Sequence, residues 1–252
     1  MIQKLISKRN AQLVVVLLCA AVVKFYYSTA SVNQLRWILA PTTLLVELVS
    51  GSRFEFESYA GYMNTERNFL IAASCAGVNF LITSFLMLSL RKLWGDREQD
   101  TAWRFIPFAA LCAYLATIVA NTVRISTALL LRGMHPEVGW LSSNQLHRLE
   151  GIFIYFGFLL LLFMVNEKMS YGSASSSRNA SGLFRLTLCP LLVYYATTLG
   201  IPLANGAYRQ GADFWEHSLF VLLTPILLIL PLATFRFRRT CRLTRPASAS
   251  SE

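Results

Sequence analysis

Residues 68–90, NFLIAASCAGVNFLITSFLMLSL, run between Arg67 and the Arg91-Lys92 pair without a single charge. As a helix rising 1.5 Å per residue, such a stretch reaches about 35 Å, enough to cross the roughly 30 Å hydrocarbon core of a bilayer. Residues 12–27, 105–131, 146–165 and 186–204 read the same way. Residues 217–235 form a sixth candidate, in which Pro225 and Pro231 are tolerable when neighbouring groups satisfy the freed carbonyls. Composition agrees: of 252 residues, 55% are hydrophobic and 14% charged, and the mean hydropathy is +0.48. A soluble domain carries about a quarter charged residues, so this chain lacks the polar surface to cover a water-facing globule. The expected fold is an all-α polytopic membrane helix bundle with about six spans. Residues 37–49, short and holding Pro41 and Glu47, read as re-entrant or interfacial.

The net charge of +10 orients the bundle. Lys4, Lys8 and Arg9 precede the first span; Arg91, Lys92, Arg97 and Arg104 follow the second; Lys168, Arg178 and Arg185 follow the fourth; and five arginines lie in 236–245. With six crossings all four groups fall on the cytoplasmic side, leaving Arg132 and Arg209 alone in their external loops. The basic surplus is thus an orientation signal and gives no reason to expect a nucleic-acid partner. Residues 1–245 are expected to form one integral membrane domain, with 28–67 as an external region holding a small subdomain or a membrane-dipping hairpin. Residues 173–181 read as a flexible inner loop and 246–252 as a disordered cytoplasmic tail. The basic start, the apolar run and the triplet Ser28-Thr29-Ala30 resemble a signal peptide. Lys24 with Phe25, Tyr26 and Tyr27 looks instead like the interface belt of an uncleaved anchor.

Ionisable groups inside spans are costly and mark functional sites. Arg124 lies seven residues before the end of its span, Cys75 seven residues into the preceding one, and His147 in the first turn of the next. By the charge-derived topology, all three fall in one layer near the outer face, the first two about 10 Å deep. A thiol attacks a carbonyl as its thiolate, which a nearby cation favours. Arg124 can supply that cation or donate to the oxyanion formed at the carbonyl, and His147 can move the proton. Ser142 and Gln145 have capping-box spacing, which would start a helix just before His147. Asn121, three residues before Arg124, can orient the guanidinium or a substrate amide; Asn79, four residues after Cys75, would act likewise on its own helix. Gly77 and Gly151 leave room for another backbone to approach.

Plainer readings stand beside these. A cysteine in a membrane helix is usually a small apolar residue, and a buried arginine can simply pair with Glu47 or Glu150. Glu150, three residues after His147, can orient that ring, pair with Arg124 or ligate a metal. His135, His147 and His217 form no compact ligand motif, so no metal or other cofactor is expected. The run Phe153, Tyr155, Phe156 and Phe158 reads as lipid-facing and packing surface.

The string Ser74-Cys75-Ala76-Gly77-Val78-Asn79-Phe80, then Asn121-Thr122-Val123-Arg124, then His147 with Gly151, resembles the exosortase/archaeosortase family and is most like its exosortase K branch. The resemblance covers about 62–165. It implies a membrane cysteine transpeptidase-like enzyme with Cys75 as nucleophile, Arg124 as charge stabiliser and His147 as acid/base. It also implies as partners secreted proteins ending in a tripartite sorting tail (motif, membrane helix, basic cluster), cut at the outer face of the bacterial cytoplasmic membrane. The acyl group would then pass to an acceptor of unknown identity. The chain has fewer spans than longer exosortases, which leaves open any extra substrate-docking elements. Membrane lipids are the remaining partners. Two other function classes compete: a non-catalytic transporter or assembly factor in which Arg124 binds an anionic solute, and a metal-dependent membrane hydrolase.

Overall fold

A computed structural model describes residues 2–66, 68–95, 102–134, 143–171, 180–206, 209 and 211–243. The fold is mostly helical: α1 (Ile2–Thr29), α2 (Arg36–Ser50), α3 (Val78–Gly95), α4 (Phe105–Met134), α5 (Ser143–Tyr171), α6 (Ala180–Tyr195), the one-turn α7 (Ile201–Ala204) and α8 (Ala212–Leu243). Among the described residues, four segments are long and apolar enough to cross a membrane, namely Lys8–Thr29, Ala73–Trp94, Phe105–Arg132 and Gln145–Met169. The fifth and sixth expected spans correspond to the shorter apolar stretches Leu188–Ala204 and Phe214–Leu230. The first of these changes hydrogen-bond pattern over Ala196–Gly200, where Pro202 removes a donor from the ladder.

The central helix is α3, which packs against α1, α4, α5 and α6. In its crossing segment 61% of the residues are buried inside the protein, against 17% for α1, so α1 offers most of its apolar surface outward. Gln12, Val16 and Ala20 are the buried residues of α1; their spacing of four puts them on one stripe. Thr83 and Ser84 of α3 and Thr117, Asn121 and Thr122 of α4 are all buried. Apolar surface gains little from leaving lipid for protein, so close approach of small residues and interhelical hydrogen bonds hold such helices together. The Thr83 and Thr197 hydroxyls bond at 2.9 Å. Thr117 and Thr122 satisfy theirs on the carbonyls of Ala113 and Ile118. At the Arg91 end, an ion pair with Glu167 ties α3 to α5.

The expectation of an all-α chain needs amending over 51–71. Here Glu55–Glu57 (β1), Gly61–Asn64 (β2) and Phe69–Ile71 (β3) form an antiparallel sheet in the order β1-β2-β3. Tyr62 pairs with both Phe56 and Ile71. Gly61, at φ +129°, lies where a Cβ would run into the Ile71 carbonyl, so no other residue fits without displacing β3. Ahead of the sheet, the 15-residue α2 reaches about 22 Å, too short for a crossing. The Trp37 carbonyl accepts the Tyr114 hydroxyl of α4 at 2.7 Å, and the two rings stack. Glu47 accepts the Phe54 amide at 2.7 Å. Its role is therefore to join α2 to the strand region, not to pair with Arg124.

Residues 68–90 are not one continuous helix, and the segment able to cross starts at Ala73. Phe69–Ile71 belong to the sheet, Ala73–Ala76 make a 3-10 turn, and α3 begins at Val78. Gly77 at φ +70° breaks the run: it cannot continue the turn in the right-handed region, and its carbonyl accepts the Phe80 and Leu81 amides to start α3. A uniformly apolar stretch carries no periodicity that would separate strand, turn and helix. His135, Ser142, most of the serine-rich loop and the 246–252 tail lie outside the described residues.

Candidate active site

Cys75 stands on the 3-10 turn at the head of α3, its amide bonded to the Ala72 carbonyl at 2.9 Å. It is half-buried and precedes the helix instead of lying seven residues inside one. Asn121, fully buried on α4, donates its carboxamide N–H to the Cys75 carbonyl. That bond occupies the amide expected to orient a substrate. The Asn121 Oδ1 in turn accepts the Tyr155 hydroxyl at 2.8 Å, and the same hydroxyl accepts Arg124 Nη1 at 3.2 Å.

Arg124 lies ten residues before the end of α4. Its Nη2 meets His147 Nε2 at 3.4 Å. A guanidinium can only donate, so Nε2 is the acceptor. In the neutral imidazole the proton then sits on Nδ1, which faces Glu150 Oε2 at 3.3 Å. The carboxylate side chain is 7% exposed and the imidazole 49%, so Glu150 is a buried brace for a ring open to incoming groups. Of the three roles open to Glu150, the contact seen is the one with His147, which suits an orienter of the ring. One group from each of three elements converges here, and the Cys75 thiol is within electrostatic reach of Arg124, Tyr155 and Tyr27.

Both glycines serve side chains instead of backbones. A Cβ on Gly77 would meet Thr117 Cγ2 at 3.2 Å and Asn121 Cγ at 3.3 Å, and one on Gly151 would meet Arg124 Nε at 3.1 Å. Nε itself is buried without a hydrogen-bond partner, as is Glu150 Oε1. Asn79 does not share a helical face with Cys75, because the helix starts between them. It accepts Lys24 Nζ of α1 at 2.8 Å, and that ammonium also lies 5.7 Å from the Tyr27 ring centroid. Gln145 donates to Glu216 of α8 at 2.9 Å.

Sequence reasoning missed the site role of Tyr155, which it reads as lipid-facing and packing surface. It stacks on Phe80 with ring centroids 5.0 Å apart and 15° between planes, and its hydroxyl joins Arg124 to Asn121. The signal was present: His147, Gly151 and Tyr155 are spaced by four and line one face of α5. Lys24 and Tyr27 were read only as an interface belt. Comparison of the chain with family models, with curated proteins and with solved structures finds no match.

Proposed function

We propose that this chain is a multi-pass membrane cysteine endopeptidase or transpeptidase that cleaves C-terminal tripartite sorting tails of secreted proteins at the outer face of the bacterial cytoplasmic membrane. The observation that carries this reading is that hydrogen bonds run from the Cys75 carbonyl through Asn121, Tyr155 and Arg124 to His147, joining the head of α3 to α4 and α5. The resemblance of the same three elements to the exosortase/archaeosortase family supports it, and four apolar helices support the membrane setting.

In the proposed reaction Arg124 Nη2–H leaves His147 Nε2, whose freed lone pair takes the Cys75 proton as Sγ bonds to the scissile carbonyl carbon. The oxyanion that develops takes N–H donors of Arg124, the one released from His147 among them. Collapse breaks the C–N bond, His147 returns the proton to the leaving amine, and a Cys75 thioester remains. Water or an acceptor nucleophile then attacks the thioester and releases the thiol.

Co-expression with a secreted protein bearing such a tail tests the reading. Cys75→Ala should abolish processing while the protein still inserts, and a chelator should leave the wild type active. Continued processing by Cys75→Ala would end the thiol mechanism. A transporter or assembly factor would tolerate that substitution, and a metal hydrolase would lose activity to the chelator.

A further inference from the structure

We propose that Tyr155 is a positioning residue for the nucleophile: its hydroxyl couples the turn carrying Cys75 to the guanidinium of Arg124. This rests on the reading of Cys75 as nucleophile. The hydrogen bonds run in one direction. A guanidinium holds only donors and a peptide carbonyl only acceptors, which fixes both ends of the chain. Arg124 Nη1 donates to Tyr155, Tyr155 donates to Asn121 Oδ1, and Asn121 Nδ2 donates to the Cys75 carbonyl. A reversed Asn121 amide would set oxygen against the Cys75 oxygen and leave the hydroxyl's hydrogen without its acceptor. The hydrogen of Tyr155 thus reinforces the amide orientation that holds the Cys75 turn. Stacking on Phe80, five residues after Cys75, keeps the ring in place independently of the hydroxyl. In a low-dielectric interior, bonds in series polarise one another, so the loss of one weakens the rest.

The test uses the full chain in lipid nanodiscs, with Cys19, Cys112, Cys189 and Cys241 replaced by alanine. Two readouts are the rate of Cys75 alkylation by iodoacetamide and the kcat and KM for a sorting-tail substrate. Tyr155→Phe keeps the ring and removes the hydroxyl. It should lower kcat about tenfold, the scale of one lost hydrogen bond, slow alkylation severalfold and leave KM within about twofold. In an Asn121→Ala background, Tyr155→Phe should add nothing, because the link is already cut. Multiplicative effects of the two substitutions, or an unchanged alkylation rate in Tyr155→Phe, would overturn the proposal. Should Tyr155→Phe fail to fold, Asn121→Ala alone tests the same link, and unchanged alkylation there overturns it as well. If the parent protein cleaves no tail yet shows the alkylation coupling, the protease reading fails and the coupling stands.

Discussion

Gly151 lies against the Arg124 guanidinium so closely that a methyl group on it would stand 3.1 Å from Nε. Two opposing effects follow from adding that methyl. Alanine is better than glycine in a helix by about 1 kcal/mol, while overpacking costs about 1–3 kcal/mol. Gly151→Ala should therefore change stability by less than about 2 kcal/mol, yet displace the guanidinium by a few tenths of an ångström. Misplacement by about 1 Å can cost on the order of 100-fold in rate, so a roughly tenfold loss of tail cleavage is expected. A thermal melt read beside a cleavage assay separates the two. Wild-type cleavage would show that this contact does not constrain Arg124.

Gly77 lacks the offsetting gain, because its backbone sits at φ +70°. A side chain there is strained by about 1–2 kcal/mol whatever the space, and Thr117 and Asn121 leave little space. Gly77→Ala should lower the melting temperature measurably and reduce cleavage in step, since the turn it deforms carries Cys75. A melt equal to that of Gly151→Ala would contradict this account.

These two glycines mark how far the sequence reaches. Their identity as tight spots, four long apolar helices and the approach of Arg124 to His147 are legible, because apolar run lengths and residue spacing are signals read over many residues. What approaches the glycines is not legible: side-chain contacts between elements depend on helix rotation, which the uniformly apolar α3 does not encode. The three strands of the 55–71 sheet are too short for alternation to stand out, and Phe69–Ile71 merge with the apolar run behind them. Tyr155 was hidden by its company of phenylalanines, although spacing from His147 placed it on the site face. A tyrosine presents both an apolar body and a polar tip, and only the structure shows that Asn121 and Arg124 receive the tip.

Glu150 faces His147 Nδ1 with one oxygen and is almost wholly buried. A hydrogen bond to a charged group contributes about 1.5–3 kcal/mol. Glu150→Gln keeps an oxygen able to accept from Nδ1 and should retain cleavage within about tenfold of wild type on that scale. Glu150→Leu removes the acceptor, frees the ring and should cost on the order of 100-fold. Initial cleavage rates in membranes, with insertion checked by blotting, decide the order. Equal rates for the two variants would show that Glu150 does not orient the imidazole.

The N-terminal helix makes the last prediction, because Lys24 of this helix bonds to the head of α3 beside the site. Lys24 bonds to Asn79 at the head of α3, and Tyr27 is within electrostatic reach of both Cys75 and Arg124. Cleavage after Ala30 would carry away both groups and uncover the α3 face that Gln12, Val16 and Ala20 occupy. An epitope tag at the N-terminus should therefore remain on the active, membrane-bound protein. The Lys24–Asn79 bond is exposed, so Lys24→Ala should cost less than about tenfold in cleavage, the scale of one net hydrogen bond. Cutting an engineered protease site placed between Ala30 and Ser31 should cost far more, because it frees the whole helix to diffuse away. If fully cut protein without the tag still cleaved at the uncut rate, the catalytic chemistry would need nothing from α1, and the site would be complete within α3, α4 and α5.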